Sequence, residues 1–103
     1  GAWRGIYVHP YGQFKMELDI RSSTVASVTA PTGKKVSLSN FKAEHGRVTG
    51  NFRFKNLPGY TGWGAEEIEV ELRLAAMENR LEGRMTFKSE IGESIVPLAL
   101  SRT

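Results

Sequence analysis

"EEIEVELRL", residues 66–74, is the stretch that decides the fold class of this chain. In it Ile68, Val70, Leu72 and Leu74 alternate with charged residues, so apolar side chains recur with a period of two. That period places successive side chains on opposite faces of a β-strand. The stretch therefore predicts a strand with one face in the core and the other in water.

The same alternation recurs in three other segments and extends the prediction to the whole chain. These segments are QFKMELDI at 13–20, RVTGNFRF at 47–54 and RLEGRMTFK at 80–88. Turn sequences rich in Gly, Pro, Asn and Ser separate the strand-like segments at a spacing of about 8 to 12 residues, typical of an antiparallel meander. We predict an all-β fold in which a single meander of about eight strands forms a small barrel or a strongly curved sheet.

The composition indicates one globular domain that spans residues 1–103. Hydrophobic residues make up 40% of the chain and charged residues 24%, which excludes a disordered protein. No apolar run reaches the about 20 residues of a membrane-spanning helix, so no membrane partner is predicted. Because the chain has no cysteine, disulfides and thiolate metal sites are excluded.

One hairpin of the meander can be tested for register by its charges. Setting Leu74 opposite Leu81 brings Arg73 to Glu82, whereas a slip by two residues brings Arg73 to Arg80 instead. Opposite charges directly across two strands contribute about 0.2 to 1 kcal/mol, and like charges cost a similar amount. The charges therefore favour the first register.

That register implies a hairpin loop through residues 76–79, in which Asn79 suits a left-handed position. It also makes Glu67, Glu69 and Glu71 surface residues that set the pairing of the strands. We therefore interpret these three glutamates as structural and not as the ligands of a cation.

Short glycine-containing motifs give the chain a resemblance to a known family. They are GAWRG at 1–5, GRVTGNF at 46–52, NRLEGRMTF at 79–87 and VPLALSR at 96–102. In this order the motifs resemble small calycin-like, or lipocalin-like, β-barrel domains of bacterial proteins. Such domains occur beside larger partners, including secreted α/β-hydrolases, so the resemblance implies an accessory domain of an extracytoplasmic protein.

Glycines within strands agree with a closed or strongly coiled sheet. Gly5, Gly50 and Gly83 would each weaken a flat strand, but they permit a sharp bend or leave room for a large side chain. Trp3 is expected to plug one end of such a barrel, as the resemblance implies. The alternation in the first strand leaves open whether Trp3, Gly5 and Tyr7 or the intervening residues 6 and 8 face inward.

Candidate catalytic groups are sparse. His9 and His45 lie in turn-like contexts far apart in the sequence, and no serine lies in a Gly-x-Ser-x-Gly motif. No His-x-His, His-Glu-x-x-His or calcium-loop pattern occurs either. We therefore predict no catalytic residue, no metal site and no cofactor.

The loop NLPGYTGWGAEE, residues 56–67, holds the leading candidates for contact with a ligand or partner. Tyr60 and Trp63 lie in it among glycines and a proline, and the loop is longer than a hairpin needs. Aromatic side chains on such loops supply contact area at low entropic cost. Two alternatives stay open: Trp63 folds back to cap the barrel, or it faces outward as a contact.

Recognition is thus the predicted function, in the form of a non-catalytic accessory or interaction domain that binds an adjacent domain or a protein partner. The second hypothesis is a binder of a small apolar ligand, with Tyr7, Phe14, Phe52 and Trp63 around a shallow pocket. A single-stranded nucleic-acid binder ranks third, because lysines and arginines are interleaved with acids rather than clustered.

If the sheet stays open, an edge strand could drive homo-oligomerisation. The chain begins Gly1-Ala2 without an initiator methionine, which favours a mature or excised domain.

Overall fold

A computed structural model describes residues 1–9, 12–29, 33–54, 68–89 and 92–102 of the chain. The described residues form nine β-strands and no helix. The strands are β1 (Ala2–His9), β2 (Gly12–Ile20), β3 (Ala26–Thr29), β4 (Lys35–Ser37), β5 (Ser39–Glu44), β6 (Arg47–Phe54), β7 (Ile68–Met77), β8 (Arg80–Ser89) and β9 (Gly92–Arg102). The all-β prediction is confirmed.

All nine strands belong to a single antiparallel sheet in the order β4-β3-β2-β1-β9-β8-β7-β6-β5. Every neighbour in this order is also a neighbour in sequence, except for β1 and β9. These two strands pair from Trp3 opposite Arg102 to Ile6 opposite Ala99, and their pairing turns the meander into a nearly closed barrel. The question of an open sheet or a closed barrel is thereby answered.

The two edge strands of the sheet, β4 and β5, follow each other in the chain and are separated only by Leu38. The chain therefore passes from one edge strand directly to the other, and β4 and β5 together occupy the position of one interrupted strand of the barrel. Leu38 donates its backbone N–H to the carbonyl of Ala26, and Ala43 donates to the carbonyl of Ser23. These bonds tie both halves to the β2–β3 side of the barrel.

Core residues come from the faces that the alternation predicted to point inward. The predicted residues that are buried are Met16, Leu18, Val48, Phe52, Phe54, Ile68, Val70, Leu72, Leu74, Leu81, Met85 and Phe87. Phe14 and Ile20 are partly buried against them. In β1 the open alternative is resolved, because Tyr7 is buried whereas Ile6 and Val8 are exposed.

The predicted register of the β7–β8 hairpin is wrong by two residues. Leu81 lies opposite Ala76 and not opposite Leu74. The observed pairing sets Arg73 against Arg84, a like-charge pair that the charge argument would have disfavoured. A slip by two residues keeps every side chain on its predicted face, so the core is the same in both registers.

The hairpin loop explains the difference. The strands close on the two residues Glu78 and Asn79, and Glu78 takes the left-handed conformation that was expected of Asn79, with a φ of 54°. Charged side chains also do not need to lie directly opposite to pair. Lys88 lies opposite Glu69 along the strands, yet its Nζ bonds the neighbouring Glu71 at 3.1 Å.

Two of the in-strand glycines sit where neighbouring strands approach too closely for any side chain. A Cβ on Gly5 would overlap the carbonyl oxygen of Ala99 on β9, and one on Gly83 would overlap that of Arg73 on β7. Gly50 differs, because the nearest atom to its Cβ position is a side-chain carbon at 3.4 Å, an ordinary contact. Gly5 and Gly83 therefore permit the tight curvature of the sheet.

We expect Gly5→Ala and Gly83→Ala each to lower the free energy of unfolding by about 1 to 3 kcal/mol, because the backbone must shift to admit the methyl group. Gly50→Ala is the matched control and should stay within about 1 kcal/mol of the unsubstituted chain. Urea denaturation followed by tryptophan fluorescence measures all three. Equal midpoints for the three variants would contradict this account of the curvature.

Candidate functional site

The two ends of the barrel are built differently. At one end lie the turns of residues 21–25, 45–46 and 78–79 together with the start of β1 and the end of β9. At the other end β1, β3, β6 and β8 finish and β2, β4, β7 and β9 begin. Residues 10–11, 30–32, 55–67 and 90–91 lie outside the described residues.

Trp3 packs against the core at the end with the short turns. Its cross-strand partner Arg102 places its guanidinium carbon 5.3 Å from the centroid of the indole ring. A cation over an aromatic face at this distance is a stabilising arrangement. The pair thus reinforces the β1–β9 ladder at its outer end.

Three of the residues predicted to contact a ligand lie in the core or pack against it. Tyr7 and Phe52 are only 2% and 4% exposed, and Phe14 is partly buried. The Tyr7 ring lies 5.5 Å from that of Phe14 and 5.7 Å from that of Phe87. Phe52 packs edge-on against Phe54 at 5.3 Å. These aromatic pairs fill the interior of the barrel.

Tyr60 and Trp63, the other two predicted contact residues, lie in a segment outside the described residues. Whether Trp63 caps the barrel or faces outward therefore stays a prediction. The strands on either side of this segment, β6 and β7, end and begin beside the aromatic interior just described.

An exposed apolar surface lies on the outside of the barrel, where β1 and β9 run side by side. We call it the β1–β9 strip and define it by Ile6, Val8, Ile95, Pro97 and Ala99. Ile6, Val8 and Ile95 are 53%, 61% and 63% exposed, which is unusual for large apolar residues of a sheet. Pro97 and Ala99 are also exposed. The strip is therefore the main apolar feature of the outer surface in the described part of the chain.

The strip has a sequence signal that the alternation argument missed. Residues 95–100 read IVPLAL, six apolar residues in a row, whereas residues 67–74 carry a charge at every second position. A strand that is apolar on both faces is typical of a sheet that is covered on both sides.

Pro97 marks the place where β1 and β9 separate. Their pairing ends with Ile6 opposite Ala99, while the pairing of β8 with β9 continues past Arg84 opposite Pro97. A proline has no amide hydrogen to donate to a neighbouring strand. A shallow groove opens there, and Val8 and Pro97 belong to its lining.

Charged residues of the adjacent strands form the rim of the strip. On the β2 side Lys15 lies opposite Ile6, and on the β8 side Arg84 lies opposite Pro97. In the described part of the chain, neither Lys15 nor Arg84 has a carboxylate within ion-pair distance. The rim therefore presents uncompensated positive charge on both sides of the apolar residues.

Further round the barrel, Glu71 is the centre of a compact ion-pair cluster on β7 and β8. Its carboxylate accepts a hydrogen bond from Lys88 Nζ at 3.1 Å and another from Arg73 Nε at 2.6 Å. The hydrogen bond from Lys88 lowers the pKa of Glu71 most, and the bond from Arg73 lowers it further. The hydrogen bond between Lys88 and Glu71 also raises the pKa of Lys88. Glu71 is thus paired within the surface of the sheet and acts structurally.

The described residues form no candidate metal site. No group of three or more His, Cys, Asp or Glu side chains in this part of the chain is arranged to hold a metal ion. His9 ends β1 at one end of the barrel, while His45 lies in the β5–β6 turn at the other. The described residues also include no helix with the length and apolar character needed to span a membrane.

Comparisons with protein-family models, with curated proteins and with solved structures find no match for the chain. The functional interpretation therefore depends on the geometry of the barrel and of its outer surface.

We expect Glu71→Gln to lower the free energy of unfolding at neutral pH and to have a smaller effect as the pH falls. Because the pKa of Glu71 is lowered in the folded chain, the unfolded chain takes up this proton first. The stabilisation is complete above the ordinary glutamate pKa and is lost as the pH falls through the lowered one. Denaturation curves at neutral and acidic pH measure the difference.

Glu44→Gln is the matched control, because Glu44 is exposed and has no ion pair among the described residues. Its effect should be small at both pH values. An effect of Glu71→Gln that does not change with pH would show that the charge of Glu71 contributes no stability.

Proposed function

We propose that this chain is a non-catalytic interaction domain that binds an adjacent domain or a protein partner through the β1–β9 strip. The observation that carries the proposal is the exposure of Ile6, Val8 and Ile95, each more than half exposed on the outside of a sheet whose inner face carries the buried apolar cluster. A contiguous apolar patch on the surface of a protein often marks an interaction site, whereas single exposed apolar residues are common everywhere.

The rest of the outer surface supports the choice of this face. On β7 the outward row includes Glu69, Glu71 and Arg73 and ends with Ala75 and Met77, and on β2 it includes Lys15, Glu17 and Asp19. Rows of this kind are well solvated and cost free energy to desolvate. The strip is the face that a partner can cover with a gain from apolar burial.

The proposal includes the finer assignment of the barrel to the calycin-like class. An antiparallel meander whose first and last strands pair is compatible with that class. The resemblance of the glycine motifs to bacterial calycin-like domains adds that the partner is a larger extracytoplasmic protein, such as a hydrolase.

A small apolar ligand is the second candidate, and Phe14 is the residue that favours it. Phe14 is only partly buried, and its ring lies against that of Tyr7 at the end of the barrel where β1 and β2 meet. Loops at the mouth of a barrel are common sites for ligands. The interaction domain ranks first because the strip is far more exposed than these aromatic residues.

We expect Ile6→Ser and Ile95→Ser each to weaken partner binding by about tenfold or more, because burial of an isoleucine side chain contributes about 1.5 to 3 kcal/mol. The immobilised domain is used to retain proteins from an extract of its source cells. The affinity of a retained partner is then measured with each variant.

Val25→Ser is the matched control, since Val25 is 54% exposed but lies in the β2–β3 turn, away from the strip. All three variants should unfold within about 0.5 kcal/mol of the unsubstituted chain, as exposed positions usually do. If the Ile6→Ser and Ile95→Ser variants bind the partner as tightly as the Val25→Ser variant does, the interaction lies elsewhere on the barrel.

A further inference from the structure

Building on the proposed function, we infer the chemistry of the partner: its docking face is apolar at the centre and carries carboxylates that meet Lys15 and Arg84 on the two sides of the β1–β9 strip. The inference comes from the charges that border the strip and from how the sheet leaves them unpaired.

Lys15 and Arg84 are held by strand pairing on opposite sides of the apolar residues. Lys15 is the cross-strand partner of Ile6 on the β2 side, and Arg84 is the cross-strand partner of Pro97 on the β8 side. Both residues are exposed, and each lies away from the ends of a long strand. A partner that covers the strip therefore comes within reach of both cations.

The acidic residues next to these cations are engaged by other arginines. On the β2 side Glu17 pairs with Arg4 at 3.0 Å. On the β8 side Glu82 pairs with Arg80 at 2.8 Å. In the described part of the chain, Glu17 and Glu82 are therefore already paired, and neither forms an ion pair with Lys15 or Arg84.

Arg84 also has an unfavourable neighbour. It lies directly opposite Arg73 on β7, and Arg73 directs its Nε to Glu71 and not toward Arg84. Like charges directly across two strands destabilise a sheet. A carboxylate from a partner would offset this repulsion, and a guanidinium can bind a carboxylate through two parallel hydrogen bonds.

The same charges argue against a second copy of this chain as the occupant. In a two-fold symmetric dimer the strip would meet itself, and the cationic rims of the two copies would come together. Juxtaposed like charges at an interface cost binding free energy. A partner whose docking face is apolar and carries acidic residues covers the apolar strip and places carboxylates next to the cations of its rim.

The test uses a random-peptide library displayed on phage and selected on the folded chain. Peptides are kept only if they bind the unsubstituted chain and fail to bind the double variant with Ile6→Ser and Ile95→Ser. We expect the retained peptides to combine apolar residues with Asp or Glu. Selection on a chain with Lys15→Glu and Arg84→Glu should instead yield apolar peptides with Lys or Arg.

Binding constants of the retained peptides provide the second readout. Arg84→Gln and Lys15→Gln should each weaken binding about threefold to fivefold and reduce its dependence on salt. Arg53→Gln and Lys42→Gln are the matched controls, because both cations are exposed on β5 and β6, away from the strip. These two variants should change the affinity less than about twofold.

The outcomes separate the two proposals. Strip-dependent peptides without acidic enrichment, or with affinities that do not respond to Arg84→Gln and Lys15→Gln, overturn the acidic partner and leave the interaction domain standing. If none of the selected peptides depends on the strip, both proposals fall. A single-stranded oligonucleotide whose affinity falls with Arg84→Gln but not with Ile6→Ser would assign the cations to nucleic acid and also overturn the inference.

Discussion

The pairing of β1 with β9 is the constraint on which the rest of this structure depends. Every other pair of neighbouring strands is consecutive in the chain, so only this ladder joins the two ends of the sequence. It requires Gly5, because any side chain there would overlap the carbonyl of Ala99. The contact of Arg102 with Trp3 strengthens the same ladder at its other end. Without it the meander would be an open sheet with two long exposed edges.

The candidate interaction surface is a consequence of that closure. Ile6 and Val8 come from the first strand and Ile95, Pro97 and Ala99 from the last, so neither strand carries the strip alone. Closure places the two apolar rows side by side and sets a strand with charged residues on each flank. An apolar centre with a polar rim is the arrangement found at many protein interfaces. The barrel thus presents a bordered surface on the outside while its inside is filled by aromatic and aliphatic side chains.

The sequence predicted which side chains face the core better than it predicted which residues lie opposite each other. Ile68, Val70, Leu72 and Leu74 are buried as expected, because burial of large apolar side chains outweighs every other term in a strand of this kind. The register of β7 and β8 was predicted from charges, and that prediction is wrong. Exposed ion pairs contribute little, and a flexible side chain such as Lys88 reaches a diagonal partner as readily as an opposite one.

For the site, the prediction was less complete. Tyr7 and Phe52 are packed within the core, since an inward position in a small barrel is filled by its neighbours, and their contact with a ligand stays a prediction. The sequence did not predict the strip. The alternation in β1 left open which of its faces points inward, and the apolar run in β9 was used only for the resemblance and not for the outer surface.

By itself, the sequence determined the fold class, the inward faces of every quoted alternating segment, and Gly5 and Gly83 as glycines on which the curvature depends. These are local properties, because the alternation of side chains and the lack of a Cβ act within one strand. The tertiary structure alone decided the hairpin register, the closure of β1 on β9 and the assembly of the strip between Lys15 and Arg84. Those features depend on which strands become neighbours, and neighbours distant in sequence are chosen by the packing of the whole barrel and not by any single segment.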